Sequence, residues 1–386
     1  MFHMAGEKEI LEGKITDVYF NRTLQILKEK GINPWVKAEF VAKSLPEEWP
    51  WAVLAGLEEI VHLLKDLPVE VRAMKEGAVF YPYQPVLEIE GYYQDFCIYE
   101  TAILGLMCQA TGIATKAARY KKLAGDRLVM SFGARRMHPA IAPMIERSAF
   151  IGGCDGVSVI KGGEIIGEDP LGTIPHALIL CIGSTVDSVK AFDEVIDPDV
   201  NRVALIDTFN DEKFECLNVA EALGEKLYAV RFDTPSSRRG DFHHIIRETR
   251  WELDLRGFEG VKFFVSGGIR EEEVPRLNPL VDAYGIGTSI SNAPVVDFSM
   301  DIVEMDGEPL AKRGKCSGAK NVLRCQECHE DLILPFNNEF ENCLCGGKYE
   351  KLLTPLIEKG DIVYELPEPG KIREYVLEQM KHLPTE

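Results

Sequence analysis

The sequence predicts an α/β protein: an irregular parallel β/α barrel, preceded by an α+β N-terminal domain and followed by a small, cysteine-held, zinc-ribbon-like module. Three observations predict it. Between Arg127 and Ser291 short apolar strands alternate with helix-like segments, as a parallel sheet requires, because each strand must be carried back by a crossover. The last two of these strands, Val261 to Val265 and Val281 to Ile286, run straight into glycine, as Ser266-Gly267-Gly268 and Gly285-Ile286-Gly287-Thr288. Beyond the barrel, Cys325-Gln-Glu-Cys328 and Cys343-Leu-Cys345-Gly-Gly carry the spacing of a four-thiolate metal knuckle.

The elements follow in order. Asp17 to Thr23 leads into the helix-periodic Leu24, Ile26 and Leu27, and Gly31-Ile-Asn-Pro stops that helix. Val36 to Val41, Val69 to Met74 and Val86 to Glu90 read as strands, Leu54 to Leu64 as an amphipathic helix and Phe96 to Thr111 as a buried one. Barrel strands are expected at Leu128–Phe132, Gly156–Val159, Val203–Asp207, Leu227–Phe232, Val261–Ser266 and Ala283–Ile286. Six strands are fewer than the eight of a complete barrel, so the barrel is expected to be irregular or open. After Asn292, Val295 to Met305 and the turn Asp306-Gly307-Glu308-Pro309 return the chain to the N-terminal domain, and an exposed helix closes it from Gly370 to His382. The expected division is 1–112, 113–293 and 294–386, with the knuckle at about 320–350.

At 386 residues the chain has room for a barrel of roughly 250 residues and smaller domains. Its 43 Lys plus Arg against 62 Asp plus Glu give a net charge of −19, which argues against general binding to nucleic acid or an anionic membrane. Any phosphate must therefore be gripped locally. The N-terminus lacks a basic flank and apolar core, no uninterrupted apolar run approaches membrane-spanning length, and the cysteines are scattered or clustered like metal ligands. A cytoplasmic protein in a reducing compartment is expected.

Several residues carry candidate chemistry. Glycine lets backbone amides approach phosphate oxygens, so the turns at Gly267-Gly268 and Gly285 to Thr288 suit a phosphate cup; either is alternatively a tight βα turn. Four thiolates on two tight turns close a tetrahedron around zinc, with Gly346-Gly347 relieving the second turn; no open position is evident, so the metal is structural. Iron is the minor alternative. His329, beside Cys328, is read as solvated. Arg135 and Arg136, after the first barrel strand, can hold a carboxylate or phosphate through paired N–H bonds, or form surface ion pairs. His176, at the start of an apolar helix, is a nucleophile or proton carrier, or a cap. Asp207 and Asp233, at matching strand ends, can hold Mg²⁺ or stabilise a cationic sugar, or cap helices. Arg135, Arg136, Asp155, Asp207, Arg231 and Asp233 are all expected at the C-terminal rim of the strands, where barrel sites form. Tyr19 and Phe132 can stack on a flat ring, or are core.

Taken together these pieces resemble the nicotinate phosphoribosyltransferases of the type II phosphoribosyltransferase group. The resembling residues are Thr16 to Tyr19, Glu100 to Leu104, Ala114 to Arg119, Ser131-Phe-Gly-Ala-Arg-Arg136, Gly152 to Gly156 and Gly172-Thr-Ile-Pro-His176. They continue with Ile206-Asp-Thr208, Arg231-Phe-Asp233, Ser266-Gly-Gly268 and Asp282 to Thr288. The cysteine knuckle looks like the added module of archaeal-type members. The resemblance implies conversion of nicotinate and 5-phosphoribosyl 1-pyrophosphate to nicotinate mononucleotide and pyrophosphate in NAD salvage. It further implies ATP as co-substrate, coupled through phosphorylation of His176, and a homo-oligomer with active sites near subunit interfaces. Arg135 would bind the nicotinate carboxylate, with Phe132 and a neighbouring subunit's Tyr19 on the ring. Ser266, Gly267, Gly268, Gly285, Gly287 and Thr288 would hold the 5-phosphate. Asp207, Arg231 and Asp233 would face ribose, Mg²⁺ and pyrophosphate, and Thr173 joins the substrate-binding set. Nicotinamide-using relatives carry an acid before the Phe-Gly pair, where this chain has Ser131, and an uncharged hydroxyl there suits an anionic ring. Quinolinate or nicotinamide phosphoribosyl transfer is the enzymatic alternative. A non-catalytic barrel that senses a phosphosugar is the other.

Overall fold

The computed structural model describes residues 2–238, 240–338 and 340–384. It divides into two compact units, Met1–Thr115 with Pro294–Pro384, and Lys116–Ala293.

The N-terminal unit is built on a seven-stranded antiparallel sheet in the order Glu308–Pro309, Phe298–Met305, Trp35–Ala42, Pro85–Tyr92, Glu70–Ala73, Thr354–Glu358, Asp361–Ile362. One face is apolar: Phe40, Val71, Leu87, Ile89 and Met300 join one core with Leu57, Ile60 and Leu64 of the helix Leu57–Leu64. The helix Val18–Lys30 stops at Gly31, whose φ of 63° is the left-handed value that glycine adopts without strain. Within Tyr93–Ala124 the chain is long and apolar enough by composition to cross a bilayer, polar positions included. Ile103 and Met107 from this stretch are buried in the N-terminal core, as in the core helix of a globular unit.

The other sheet face carries charge, and the C-terminal segment covers it. Arg72 makes a two-pronged pair with Glu88 at 2.8 and 2.9 Å and donates to Lys320 O and Asn321 Oδ1, while Lys320 Nζ reaches Glu39 at 2.8 Å. Phe336 lies under the Arg72 guanidinium, 4.5 Å from it. The three-stranded module, Asp331–Pro335, Lys320–Cys325 and Tyr349–Lys351, is anchored by Arg324. This residue pairs with Asp331 at 2.8 and 2.7 Å and donates to Val79 O. The closing helix Pro369–Met380 is not the exposed element expected over Gly370 to His382. Ile372 and Val376 are fully buried, and Gln379 bonds to Val79 N and Gly77 O. Its apolar stripe is short, so the sequence reads as solvated although one face is packed.

The barrel unit holds six parallel strands in the order Gly156–Val157, Leu128–Ser131, Ala283–Ile286, Lys262–Val265, Leu227–Phe232, Arg202–Leu205. Ala283–Ile286, the last strand in the chain, pairs with Leu128–Ser131, the first. Among the described residues Gly156–Val157 and Arg202–Leu205, second and third in the chain, are not paired, so the sheet is a curled, open half-barrel interrupted at one place. The helices Ile160–Ile166, His176–Ile182 and Thr185–Val195 occupy the connection across that interruption. Met130, Val203, Ala229, Phe264 and Ala283 fill the interior, with Phe132 packed against them.

Arg324 and Asp331 are both buried, and removing one member of such a pair strands the other's charge. Arg324→Ala is expected to destabilise the protein by about 3–5 kcal/mol, measured by denaturant or thermal unfolding.

Candidate active site

The C-terminal ends of the parallel strands surround a cavity of about 670 Å³. Its lining brings together Phe132, Arg135, Thr173, His176, Arg231, Asp233, Ser266, Gly267, Gly268, Gly285, Gly287 and Thr288, all singled out from sequence. Arg136, also singled out, lines it too, and it adds Ser158, Leu171, Gly172, Pro235, Ile269 and Ser289.

The glycines have separate local reasons. Gly267 and Gly268 follow Lys262–Val265 with φ of 86° and 80°, values that side chains rarely adopt. A Cβ on Gly267 would lie 2.7 Å from the Asp233 carbonyl oxygen, whereas one on Gly268 would meet nothing. Gly285 leaves room for Phe132, since a Cβ there would lie 2.5 Å from its ring. Gly133 approaches Gly287 so closely that a Cβ would sit 2.3 Å from the Gly287 oxygen. The first-strand loop and the last-strand turn are thus pressed together, and Gly287 opens the short helix Thr288–Ser291.

His176 is the first residue of the helix His176–Ile182. Its Nδ1 is 3.0 Å from Thr208 Oγ1, and its Nε2 faces Asp207 Oδ1 at 3.8 Å and Asp233 Oδ2 at 3.5 Å. Asp207 is only 4% exposed, and its Oδ1 has no hydrogen-bond partner. Burial pushes its carboxyl up to about 6, with Asp233 adding to the rise, while His176 and Arg231 oppose it. Asp207 does not line the cavity; it is buried beside His176. Asp233 is held by the Ser266 hydroxyl at 2.7 Å. Arg231 donates to Thr173 Oγ1 and lies 3.8 Å from Asp233 Oδ2, and burial lowers its pKa from the usual arginine value. The Ser266 hydroxyl therefore positions an acid, and Thr173 positions a guanidinium.

Arg135 and Arg136 sit on the single turn Ala134–Arg136, and neither is held in an ion pair among the described residues. Ser131 is fully buried and turned away from the cavity, its hydroxyl donating to Glu146. The hydroxyl expected to suit an anionic ring bonds to a glutamate instead: Met130 points into the barrel interior, so Ser131, next along the strand, points outward to the helix Ala142–Ile151. Asp155 is likewise not at the rim. It precedes Gly156–Val157 and accepts from Val129 N and Lys121 at the opposite end of the sheet, because the strand begins one residue after it. Tyr19 belongs to the N-terminal unit, 55% exposed on the helix Val18–Lys30, and the barrel unit supplies Phe132 alone. Sequence reasoning missed Glu146 and Ser158. Nothing local distinguishes a glutamate within a helix or a serine after a two-residue strand.

In the N-terminal unit the Sγ atoms of Cys325, Cys328, Cys343 and Cys345 lie within 4.8 Å of one another, with 3.5 Å between Cys325 and Cys345 and 3.7 Å between Cys328 and Cys343. A tetrahedral ion with bonds of about 2.3 Å to sulfur needs such separations, so the donor set fits a metal. Gly346 has a φ of 92°, and a Cβ on Gly347 would lie 2.7 Å from Cys325 Sγ, so both glycines are required by the turn. His329 is not simply solvated: its ring stacks on His382 with centroids 3.9 Å apart. The remaining cysteines form no disulfide.

Two family models match the chain: the N-terminal domain of quinolinate phosphoribosyl transferase over residues 17–111 and its C-terminal domain over residues 113–301. A nicotinate phosphoribosyltransferase of Mycobacterium tuberculosis is 28% identical over 97% of this chain and 92% of its own length. That of Bacillus subtilis is 26% identical over 89% and 84%. Among solved structures, a nicotinate-nucleotide pyrophosphorylase from Pyrococcus furiosus is 56% identical, with a TM-score of 0.98 over 100% of this chain and 99% of that one. Human nicotinic acid phosphoribosyltransferase shares the fold at 19% identity, with a TM-score of 0.79 over 96% and 95% of the two chains.

A carboxyl whose folded pKa is raised favours the folded state when protonated. Its contribution is complete below the ordinary value near 3.8 and is lost as pH rises through about 6. At pH 7 the protein therefore carries a buried anion at Asp207. Asp207→Asn should be more stable than the parent at pH 7 by about 1–3 kcal/mol, and the advantage should fade towards pH 4. Thermal unfolding at both pH values measures this.

Proposed function

The chain belongs to the nicotinate phosphoribosyltransferase family of the type II phosphoribosyltransferases, and from that membership and the rim geometry we propose that it forms nicotinate mononucleotide and pyrophosphate from nicotinate and 5-phosphoribosyl 1-pyrophosphate. The observation that carries the reading is a single cavity lined at once by the unpaired Arg135 and by both glycine turns. As pyrophosphate leaves, the anomeric carbon becomes cation-like. The reaction then needs positioning, neutralisation of the leaving group and carboxylates near the sugar, and no side-chain nucleophile at that carbon.

The residues divide the work. Amides of Gly267, Gly268 and Gly285 to Thr288 take the 5-phosphate, and Arg135 takes the nicotinate carboxylate through paired N–H bonds. Phe132 covers one face of the pyridine. The exposed Tyr19 of a neighbouring copy covers the other in a homo-oligomer. Asp233, fixed by Ser266, and Arg231, fixed by Thr173, face the ribose and the pyrophosphate. The partnerless buried oxygen of Asp207 and the carboxylate of Asp233 fit Mg²⁺, which when bound neutralises pyrophosphate charge. His176, its ring oriented by Thr208, accepts the γ-phosphoryl group of ATP with release of ADP, and water then cleaves the N–P bond to release inorganic phosphate, which couples hydrolysis to transfer in the cytoplasm. The four thiolates hold zinc in a structural role.

One observation favours a second reading. Arg136 lines the cavity beside Arg135, and two free guanidinium groups suit quinolinate, which bears two carboxylates.

Incubation with phosphoribosyl pyrophosphate and each of nicotinate, nicotinamide and quinolinate separates the readings. Pyrophosphate release is expected with nicotinate, and in Arg135→Ala the KM for nicotinate should rise about tenfold or more with that for the sugar diphosphate little changed. Turnover of quinolinate with CO2 release would select the second reading. Binding of the sugar diphosphate without pyrophosphate release would make the protein a sensor. His176→Ala should lose all stimulation by ATP while slow transfer persists, measured as nicotinate mononucleotide formed with and without ATP.

A further inference from the structure

Glu146, on the helix Ala142–Ile151, is fully buried and has no part in the chemistry above. Its oxygens are held from three directions. The Ser131 hydroxyl donates to Oε1 at 2.9 Å, and the amides of Ser158 and Val159 donate to Oε2, the latter at 3.1 Å. Ser131 ends the strand Leu128–Ser131 and is followed directly by Phe132 to Arg136, whereas Ser158 follows the neighbouring strand Gly156–Val157 and lines the cavity. One carboxylate thus ties the C-terminal ends of two adjacent parallel strands at the rim. It has little freedom to shift, since a Cβ on Gly162 would lie 2.7 Å from Glu146 Cβ. Burial works against the ionised form, and the three donors oppose that effect. An apolar side chain of the same volume would fill the site without that conflict, so the carboxylate is accounted for by what it holds.

We propose that Glu146 is a positioning residue for the pyridine end of the site, setting the gap between the Phe132–Arg135 wall and Ser158 in which the ring lies. The proposal rests on the assignment of that wall to the pyridine substrate. Glu146→Leu keeps the volume and removes both acceptors. Glu146→Gln can keep its oxygen on the two amides and donate its NH2 to Ser131 Oγ, so it should restore the wild-type pattern. In Glu146→Leu the KM for nicotinate should rise roughly tenfold to a hundredfold, as for a small misplacement of a binding group. The KM for phosphoribosyl pyrophosphate should stay within about threefold. Amide hydrogen exchange should quicken at Ser158 and Val159 and stay unchanged at Gly267 and Gly268. Equal changes in both KM values, uniform quickening across Lys116–Ala293, or a glutamine variant as impaired as the leucine one would overturn the proposal. If the leucine variant does not fold, Ser131→Ala removes one of the three bonds and should show a smaller rise in the same KM alone. A wild-type protein inactive with nicotinate would sink the substrate reading instead. The exchange pattern needs no substrate and would then decide Glu146 by itself.

Discussion

Parallel pairing of Ala283–Ile286 with Leu128–Ser131, with Gly285 opposite Met130 and Ile286 opposite Ser131, is the interaction on which the site depends. It continues one residue past the strands, where Phe132 N donates to Ile286 O at 2.9 Å. That extension carries the loop bearing Phe132 and Arg135 alongside the turn bearing Gly285 and Gly287. The approach of Gly133 to Gly287 leaves no room for a side chain between them. The wall proposed for the pyridine ring and the turn proposed for the phosphate thus become neighbours although they stand at opposite ends of the barrel sequence. The sheet opens instead between Gly156–Val157 and Arg202–Leu205, and the chain crossing that opening delivers His176.

The electrostatics of the rim are arranged against stability. Asp207 is buried with an oxygen that no donor reaches, and Arg231 is buried with its Nε unpartnered. Both would be better solvated in the unfolded chain. Their proximity to His176 and Asp233 gives each a charge to work against, and a low-dielectric pocket strengthens every such interaction. Unfilled polar valences of this kind cost folding stability.

The N-terminal unit solves a different problem. Glu39, Glu88 and Arg72 occupy a sheet face that would be unsatisfied if bare, and the C-terminal segment supplies Lys320, Asn321 and Phe336 to cover it. The strand that carries Lys320 and Asn321 ends at Cys325 in the thiolate cluster. Closure of the knuckle therefore acts on the strand that satisfies the charged face. A small module thus has a thiolate cluster fit for a metal at one end of this strand and ionic contacts at the other.

Much of this was legible in the chain. All six parallel strands were, because strands covered on both faces read as apolar runs ended by glycine or polar residues. The thiolate knuckle and the positions of Gly267, Gly268, Gly285 and Gly287 were equally plain, since metal-ligand spacing and glycine turns are properties of a few consecutive residues. Other features were not. Asp155 looked like a rim residue and lies at the opposite end of the sheet. Ser131 carried a hydroxyl suited to an anionic ring and bonds outward to Glu146, and the last helix looked exposed and has a packed face. By itself the sequence determined which chemical groups stand at the strand ends and where the backbone must turn, because those follow from local conformational chemistry. Only the tertiary structure decided which groups face one another, which acids are buried and where the barrel stays open, because these depend on pairing and packing between residues far apart in the chain.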